Sequence, residues 1–111
     1  RLLINELPVK KRISFPMNGP GPKIVYHPLV VKRDIPRLDQ SVRSVIKKAI
    51  QNKLTTAPEI YGLPLRGTLK GYWKLRVGDW RVAYEITGKI VKIWVIAHRR
   101  EVYDLVAQRI G

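Results

Sequence analysis

The sequence predicts an α+β fold: two N-terminal helices packed on one face of a small, mostly antiparallel sheet, ordered β-α-α, then a β-meander, then a short C-terminal helix. Three observations carry this. Apolar residues between Gln40 and Leu54 follow a helical stripe. After Gly62 the hydrophobic period changes to two. Turn residues at Gly78-Asp79 and Thr87-Gly88-Lys89 divide the C-terminal half of the chain into short runs.

Taken in order, residues 1–22 differ from the rest. They hold Pro8, Pro16, Pro20 and Pro22, Gly19 and Gly21, and the basic run Lys10-Lys11-Arg12. This stretch reads as an extension, either a flexible arm or an addition to the native chain, since Met17 is an alternative start. The domain proper reads as residues 23–111. Lys23 to Pro28 reads as a short strand stopped by proline. Leu29 to Ile35 allows one or two helical turns, which Pro36 is expected to break. Asp39 is a candidate N-cap. Val42, Val45, Ile46, Ala49, Ile50 and Leu54 then form one face of a helix, with Arg43, Lys47, Lys48 and Lys53 on the remaining surface. In the first strand of the meander Tyr72, Lys74 and Arg76 share one face, and Trp73, Leu75 and Val77 the other. Trp80 to Ile86 returns antiparallel. Ile90 to Ala97 is apolar on both faces except at Lys92, the pattern of a central strand. Val102, Leu105, Val106 and Ile110 predict the terminal helix.

Composition narrows the function. Among 111 residues, Lys and Arg number 22 and Asp and Glu 8, a net charge of +14. That exceeds the magnitude of roughly 2–8 that suffices for solubility in a small domain. Such a surface draws polyanions. No apolar run has the length of a membrane span, no signal peptide is legible, and no long basic amphipathic helix points to a membrane surface. Cysteine is absent, so disulfides and thiolate chemistry are excluded, and a reducing cytoplasm fits. With two histidines, His27 and His98, and no carboxylate cluster near the basic residues, no protein-bound metal and no cofactor are expected.

The chemistry-bearing residues concentrate between Leu65 and Tyr103. Lys74, Arg76 and Arg81 fall on adjacent strands across a two-residue turn, within roughly 5–8 Å of one another by strand geometry. Three cations so placed suit a phosphate; the plain alternative is a solvated strand face. His98 and Arg99 end the most apolar strand. A histidine there can move protons or be structural. Tyr103 can stack on a base, donate to a phosphate, or pack against the sheet. Trp73, Trp80 and Trp94 could stack on bases, but strand phase favours packing for at least two of them. Glu85 and Glu101 are the only acids in this segment placed to assist proton transfer. The set points to RNA binding and phosphodiester cleavage.

At these residues the chain resembles a known family. Leu65-Arg66-Gly67, the run from Tyr72 to Tyr84, His98-Arg99 and Val102-Tyr103 are similar to the RelE branch of the RelE/ParE toxin superfamily, the ribosome-dependent messenger-RNA interferases of toxin–antitoxin modules. The resemblance spans about Lys23 to Ile110 and includes the order of elements. It implies a metal-independent endoribonuclease that cuts messenger RNA in the ribosomal A site by 2′-OH attack. It implies that Lys74 is a catalytic-site lysine, Arg81 stabilises charge on the scissile phosphate, Arg99 or His98 is a further functional residue, and Tyr103 stacks on or activates the substrate. Arg76 is implied as a phosphate contact, and Arg66, Lys70, Lys47 and Lys48 are expected to add others. The implied partners are a cognate RelB-like antitoxin, the ribosome and messenger RNA, with operator DNA reached only through the antitoxin complex and no membrane. One position departs: some members carry a second lysine two residues before Lys74, and here it is Tyr72. Gyrase-directed ParE-like members share the fold, so a non-nucleolytic gyrase inhibitor and a plain basic nucleic-acid-binding module remain as alternatives.

Overall fold

The computed structural model describes residues 21–111. The extension predicted over residues 1–22 lies outside them, save for Gly21 and Pro22. Strand β1, Lys23–Tyr26, lies parallel to β5, Ile90–His98, from Lys23 opposite Ile90 to Tyr26 opposite Ile93. At its end the His27 ring turns back, and its Nδ1 accepts from the Leu29 N–H at 3.0 Å, starting the first helix.

That helix, α1, combines a π-helical turn, Val30–Asp34, with an α-turn, Ile35–Arg37. Pro36 does not break it, contrary to expectation. The Ile35 N–H bonds five residues back to the Val30 carbonyl, and the wider turn places Pro36 in the opening turn of the next segment, where no donor is missed. Helix α2, Gln40–Ala49, continues through a π-helical turn, Ile50–Leu54. Asp39 caps it as predicted: its carboxylate accepts from the Val42 N–H at 3.1 Å and the Ser41 hydroxyl at 2.9 Å. Ile46, Ile50 and Leu54 are buried, whereas Val45, at the flank of the stripe, is 56 % exposed.

Two elements have no counterpart in the sequence-based expectation: helix α3, Pro58–Tyr61, and strand β2, Leu63–Pro64. The Tyr84 hydroxyl donates to the Pro58 carbonyl at 2.6 Å. Gly62 passes directly beneath it, and a Cβ there would stand 1.7 Å from that hydroxyl. A 3₁₀ turn, Gly67–Leu69, then leads into β3, Tyr72–Val77. Strand β4 is Trp80–Thr87. Gly78, at φ 61°, permits the tight β3–β4 turn. Thr87 stays in its strand opposite Ile90, so the next turn is Gly88-Lys89 alone.

The sheet order is β1-β5-β4-β3-β2, with β1–β5 the one parallel pair. Strand β5 is interior, as its two apolar faces predict. Alternation sorts the side chains into two cores. Leu75, Val82, Tyr84, Val91, Ile93 and Ile96 meet the two N-terminal helices. Ala83, Val95 and Ala97 meet Val102 and Val106 of helix α4, Val102–Ile110. The N-terminal helices thus share one face, and α4 takes the other. A bulge in β5 sets the change of phase: Ala83 faces Val95 and Tyr84 faces Ile93, leaving Trp94 as the extra residue. Beyond the end of β1, Asp34 takes over the open edge of β5 by accepting from the Ile96 N–H at 2.9 Å. Arg109 of α4 grips both Asp34 oxygens at 2.6 and 2.7 Å and the carbonyl of Trp94 at 2.9 Å. This buried pair ties α1 to α4. No described helix is long and apolar enough to cross a membrane.

Candidate functional site

The face of the sheet that carries α4 also carries the cations. Small residues at Ala83 and Ala97 let α4 sit close, and the period of two places Lys74, Arg76 and Arg81 on the same side beyond it. Lys74 and Arg76 are separated by about 7 Å of strand. Arg76 lies directly opposite Arg81 in the β3–β4 register, and Lys74 opposite Ala83. The first turn of α4 brings Tyr103 over this patch. Lys74 Nζ donates to Tyr103 Oη at 2.7 Å, and the same nitrogen lies 5.3 Å from the ring centroid. Both groups reach solvent; Tyr103 is 41 % exposed.

Arg81 is different. It is 8 % exposed, and its Nη1 donates to the carbonyls of Gly78 and Trp80, each at 2.8 Å. The hairpin turn therefore holds a guanidinium in place with carbonyl dipoles alone. The sequence suggests a surface charge; burial makes Arg81 a brace of the turn as well. Arg99 closes the same end. Its N–H donates to the Asp79 carbonyl at 2.8 Å, and its Nε lies 3.9 Å from the Asp79 carboxylate in an exposed pair of little energetic weight. Among the described residues, Lys74, Arg76 and Arg81 make no ion pair. A band of positive charge thus runs from Tyr103 and Lys74 through Arg76 and Arg81 to Arg99.

Arg66 and Lys70 flank this band. They line a shallow hollow with Leu65, Tyr72 and Trp73, and Leu69 between them packs toward α4. Lys47 and Lys48 do not join it. They sit on α2, which packs on the opposite face of the sheet, because the helical stripe turns its apolar side to the other core. His98 is also turned away: it lies across from Trp80, ring centroids 5.6 Å apart and edge to face, and its Nδ1 accepts from the Arg100 N–H at 3.3 Å.

Glu85 is engaged rather than free, accepting from Trp94 Nε1 at 3.1 Å. Trp94 in turn meets Tyr72 edge to face at 5.8 Å and lies under the Lys92 ammonium at 4.3 Å. Burial and then the Glu85 charge raise the Tyr72 phenol above its ordinary value. Trp73 stacks on Tyr84, centroids 6.5 Å apart. Trp73 and Trp94 are therefore engaged in packing, and Trp80 packs in part against the core while its ring meets His98. Sequence reading misses the Asp34–Arg109 pair, which carries no periodic signal. Among the described residues no group of three His, Cys, Asp or Glu side chains could hold a metal ion.

This architecture has known relatives. The toxin–antitoxin complex RelBE2 from Mycobacterium tuberculosis contains a chain that superposes with a TM-score of 0.66 at 25% identity, over 71% of this chain and 99% of that one. A double arginine-to-alanine mutant of the Escherichia coli toxin RelE in the free state gives 0.62 at 22% identity, over 82% and 99%. The RelB–RelE antitoxin–toxin complex from Methanococcus jannaschii gives 0.54 at 21% identity, over 72% and 95%. At such identities the last two establish the fold alone. No curated relative matches the chain by sequence. The family described as "ParE toxin of type II toxin-antitoxin system, parDE" matches residues 24–103. The chain belongs to this toxin family, within the RelE/ParE superfamily of type II toxin–antitoxin modules.

Proposed function

We propose that the chain is a ribosome-dependent endoribonuclease toxin that cuts messenger RNA in the A site and is silenced by a cognate antitoxin. The observation that carries this reading is the Lys74–Tyr103 hydrogen bond, 2.7 Å long, set beside three arginines that, among the described residues, have no carboxylate partner apart from the loose Arg99–Asp79 contact. A phenol and an amine in contact can serve proton transfer in phosphodiester cleavage, a role that binding gyrase does not call for.

In the proposed reaction the ribose 2′-oxygen bonds to the adjacent phosphorus and the P–O5′ bond breaks. The products end in a 2′,3′-cyclic phosphate and a 5′-hydroxyl. The Lys74–Tyr103 pair takes the 2′-OH proton. Arg76 and Arg81 stabilise the charge that builds on the phosphoryl oxygens, and Arg81 does so without reorganising, because the turn carbonyls already fix it. Arg99 neutralises the leaving oxygen, which is protonated from solvent. Arg66 and Lys70 guide the flanking phosphates. The substrate's own hydroxyl is the nucleophile, so no metal or cofactor is required. Action on ribosomes places the protein in the cytoplasm.

The antitoxin proposal rests on charge and kinship. A surface of +14 calls for an acidic segment, which would associate quickly and with strong salt dependence. The neighbours include RelBE2 and RelB–RelE complexes.

A second reading is inhibition of DNA gyrase without cleavage, favoured by the match to a family described as ParE toxin. Primer extension on messenger RNA from cells expressing the chain separates the two. Codon-spaced cuts in messages are expected. Intact messages together with DNA damage would replace the first reading with the second.

A further inference from the structure

Behind α4, on the side away from Tyr103, lies a cavity of about 350 Å³ lined by Arg37, Trp80, His98, Glu101 and Leu105 together with Asp34. It opens where β5 runs past the end of β1. A helix advances about 100° per residue, so Glu101 and Leu105 face the cavity while Tyr103 faces Lys74. The proposed cleavage chemistry uses none of these lining residues.

We propose that this cavity is a binding site for a guanine nucleotide. Its size falls within the range of small-molecule sites, roughly 300–1,000 Å³. Trp80 and His98 meet edge to face at 5.6 Å and form an aromatic corner against which a planar ring can pack. The polar groups are specific. Asp34 is already neutralised by Arg109, so it does not repel an anion. Arg37 and Glu101 both line the cavity and are both exposed, yet neither makes an ion pair among the described residues. Two opposite charges thus stand open around one hollow. His98 Nδ1 is occupied as an acceptor, which leaves Nε2–H as a donor.

These groups select a base. A carboxylate only accepts, and guanine presents two adjacent donors, N1–H and N2–H, that match both oxygens of Glu101. The His98 Nε2–H answers the O6 acceptor. Adenine, with one donor and one acceptor on that edge, leaves a carboxylate oxygen unpaired. Arg37 then takes the phosphate. Occupancy would brace the first turn of α4, and with it Tyr103; that coupling rests on the cleavage reading, whereas the binding site does not.

Isothermal titration calorimetry of the full chain with GMP tests this. Saturable one-to-one binding is expected. Glu101→Gln should weaken GMP by about tenfold, the scale of a hydrogen bond to a charged group, and Arg37→Ala should weaken GMP while leaving guanosine unchanged. AMP should bind at least about tenfold more weakly than GMP. Both variants alter exposed residues, and circular dichroism verifies that they fold. A G-centred RNA trinucleotide separates the sources: weaker binding than GMP assigns a free nucleotide, and tighter binding with the same dependence on Glu101 assigns a guanine of an RNA strand. Absence of saturable GMP binding, equal affinity for AMP, or a loss seen in Lys74→Met but not in Glu101→Gln would overturn the proposal.

Discussion

Arg109 and Arg81 are both buried, and they are held by opposite means. Arg109 grips both oxygens of Asp34 and the carbonyl of Trp94, so its charge is cancelled where it stands. Arg81 has two carbonyls of the hairpin turn and, among the described residues, no carboxylate, so its charge is fixed but not cancelled by them. The first arrangement makes a neutral clamp between two helices. The second makes a preorganised positive charge beside an open face. A buried cation without a counter-ion costs desolvation energy, and a fold that tolerates one keeps the charge available to something that arrives later.

The contrast breaks most readily at the clamp. Arg109→Ala leaves the Asp34 carboxylate, 4 % exposed, buried and unpaired. It should cost about 3–5 kcal/mol, read as a lower midpoint in chemical denaturation. Replacing both partners with apolar residues of similar size should recover most of that loss.

The basic patch should behave the other way. Lys74→Met and Tyr103→Phe each remove one partner of an exposed contact. Folding stability should shift by no more than about 0.5 kcal/mol, while cleavage of A-site message falls by about 10²-fold or more. Arg81→Ala should lose both: its turn contacts are gone, so stability falls by about 1–3 kcal/mol, and activity falls with it. Arg81→Ala alone is therefore a poor probe of catalysis, and a normalised rate per folded molecule is the quantity to compare.

Gly62→Ala probes packing away from both arginines. The added Cβ would meet the Tyr84 hydroxyl at 1.7 Å and the Lys74 carbonyl at 3.1 Å. A cost of about 1–3 kcal/mol is expected from such overpacking, measured by thermal unfolding. The smallest effect concerns His27. Burial, then the Lys92 and Arg109 charges, lower its imidazole below the ordinary value, against a smaller opposing pull from Asp34. The unfolded chain therefore binds the proton more readily. The stabilisation is complete above the ordinary imidazole range and declines as pH falls through it toward the lowered folded value. Between pH 7 and 5 the wild type should lose slightly more stability than His27→Gln; parallel pH curves would show that His27 plays no such part.

The parts legible in the sequence are those with a repeating period. Helix α2 shows in the stripe from Val42 to Leu54, and β3 to β5 show in alternation and turn residues. The same alternation places Lys74 and Arg76 on one side and Arg81 beside them. Helix α3 and strand β2 are too short to have a period. The π-helical turn that carries α1 past Pro36 leaves no compositional trace. Lys47 and Lys48 join the expected site by charge alone, and charge does not say which face of the sheet a helix covers. Contacts between distant residues are the least legible: Lys74 meets Tyr103 29 positions away, and Asp34 meets Arg109 at a separation of 75. Family resemblance alone brings the first pair to one site, and nothing in the sequence signals the second.

The most direct measurement uses a ribosome stalled on a message whose A-site ribose, just 5′ of the scissile phosphate, is replaced by deoxyribose. Cleavage should stop while binding to the complex persists, and the unmodified message should yield an end carrying a 2′,3′-cyclic phosphate. Efficient cutting of the deoxy-substituted message, or a 3′-hydroxyl formed directly, would make water the nucleophile and contradict the assignment of the Lys74–Tyr103 pair to the 2′-OH proton.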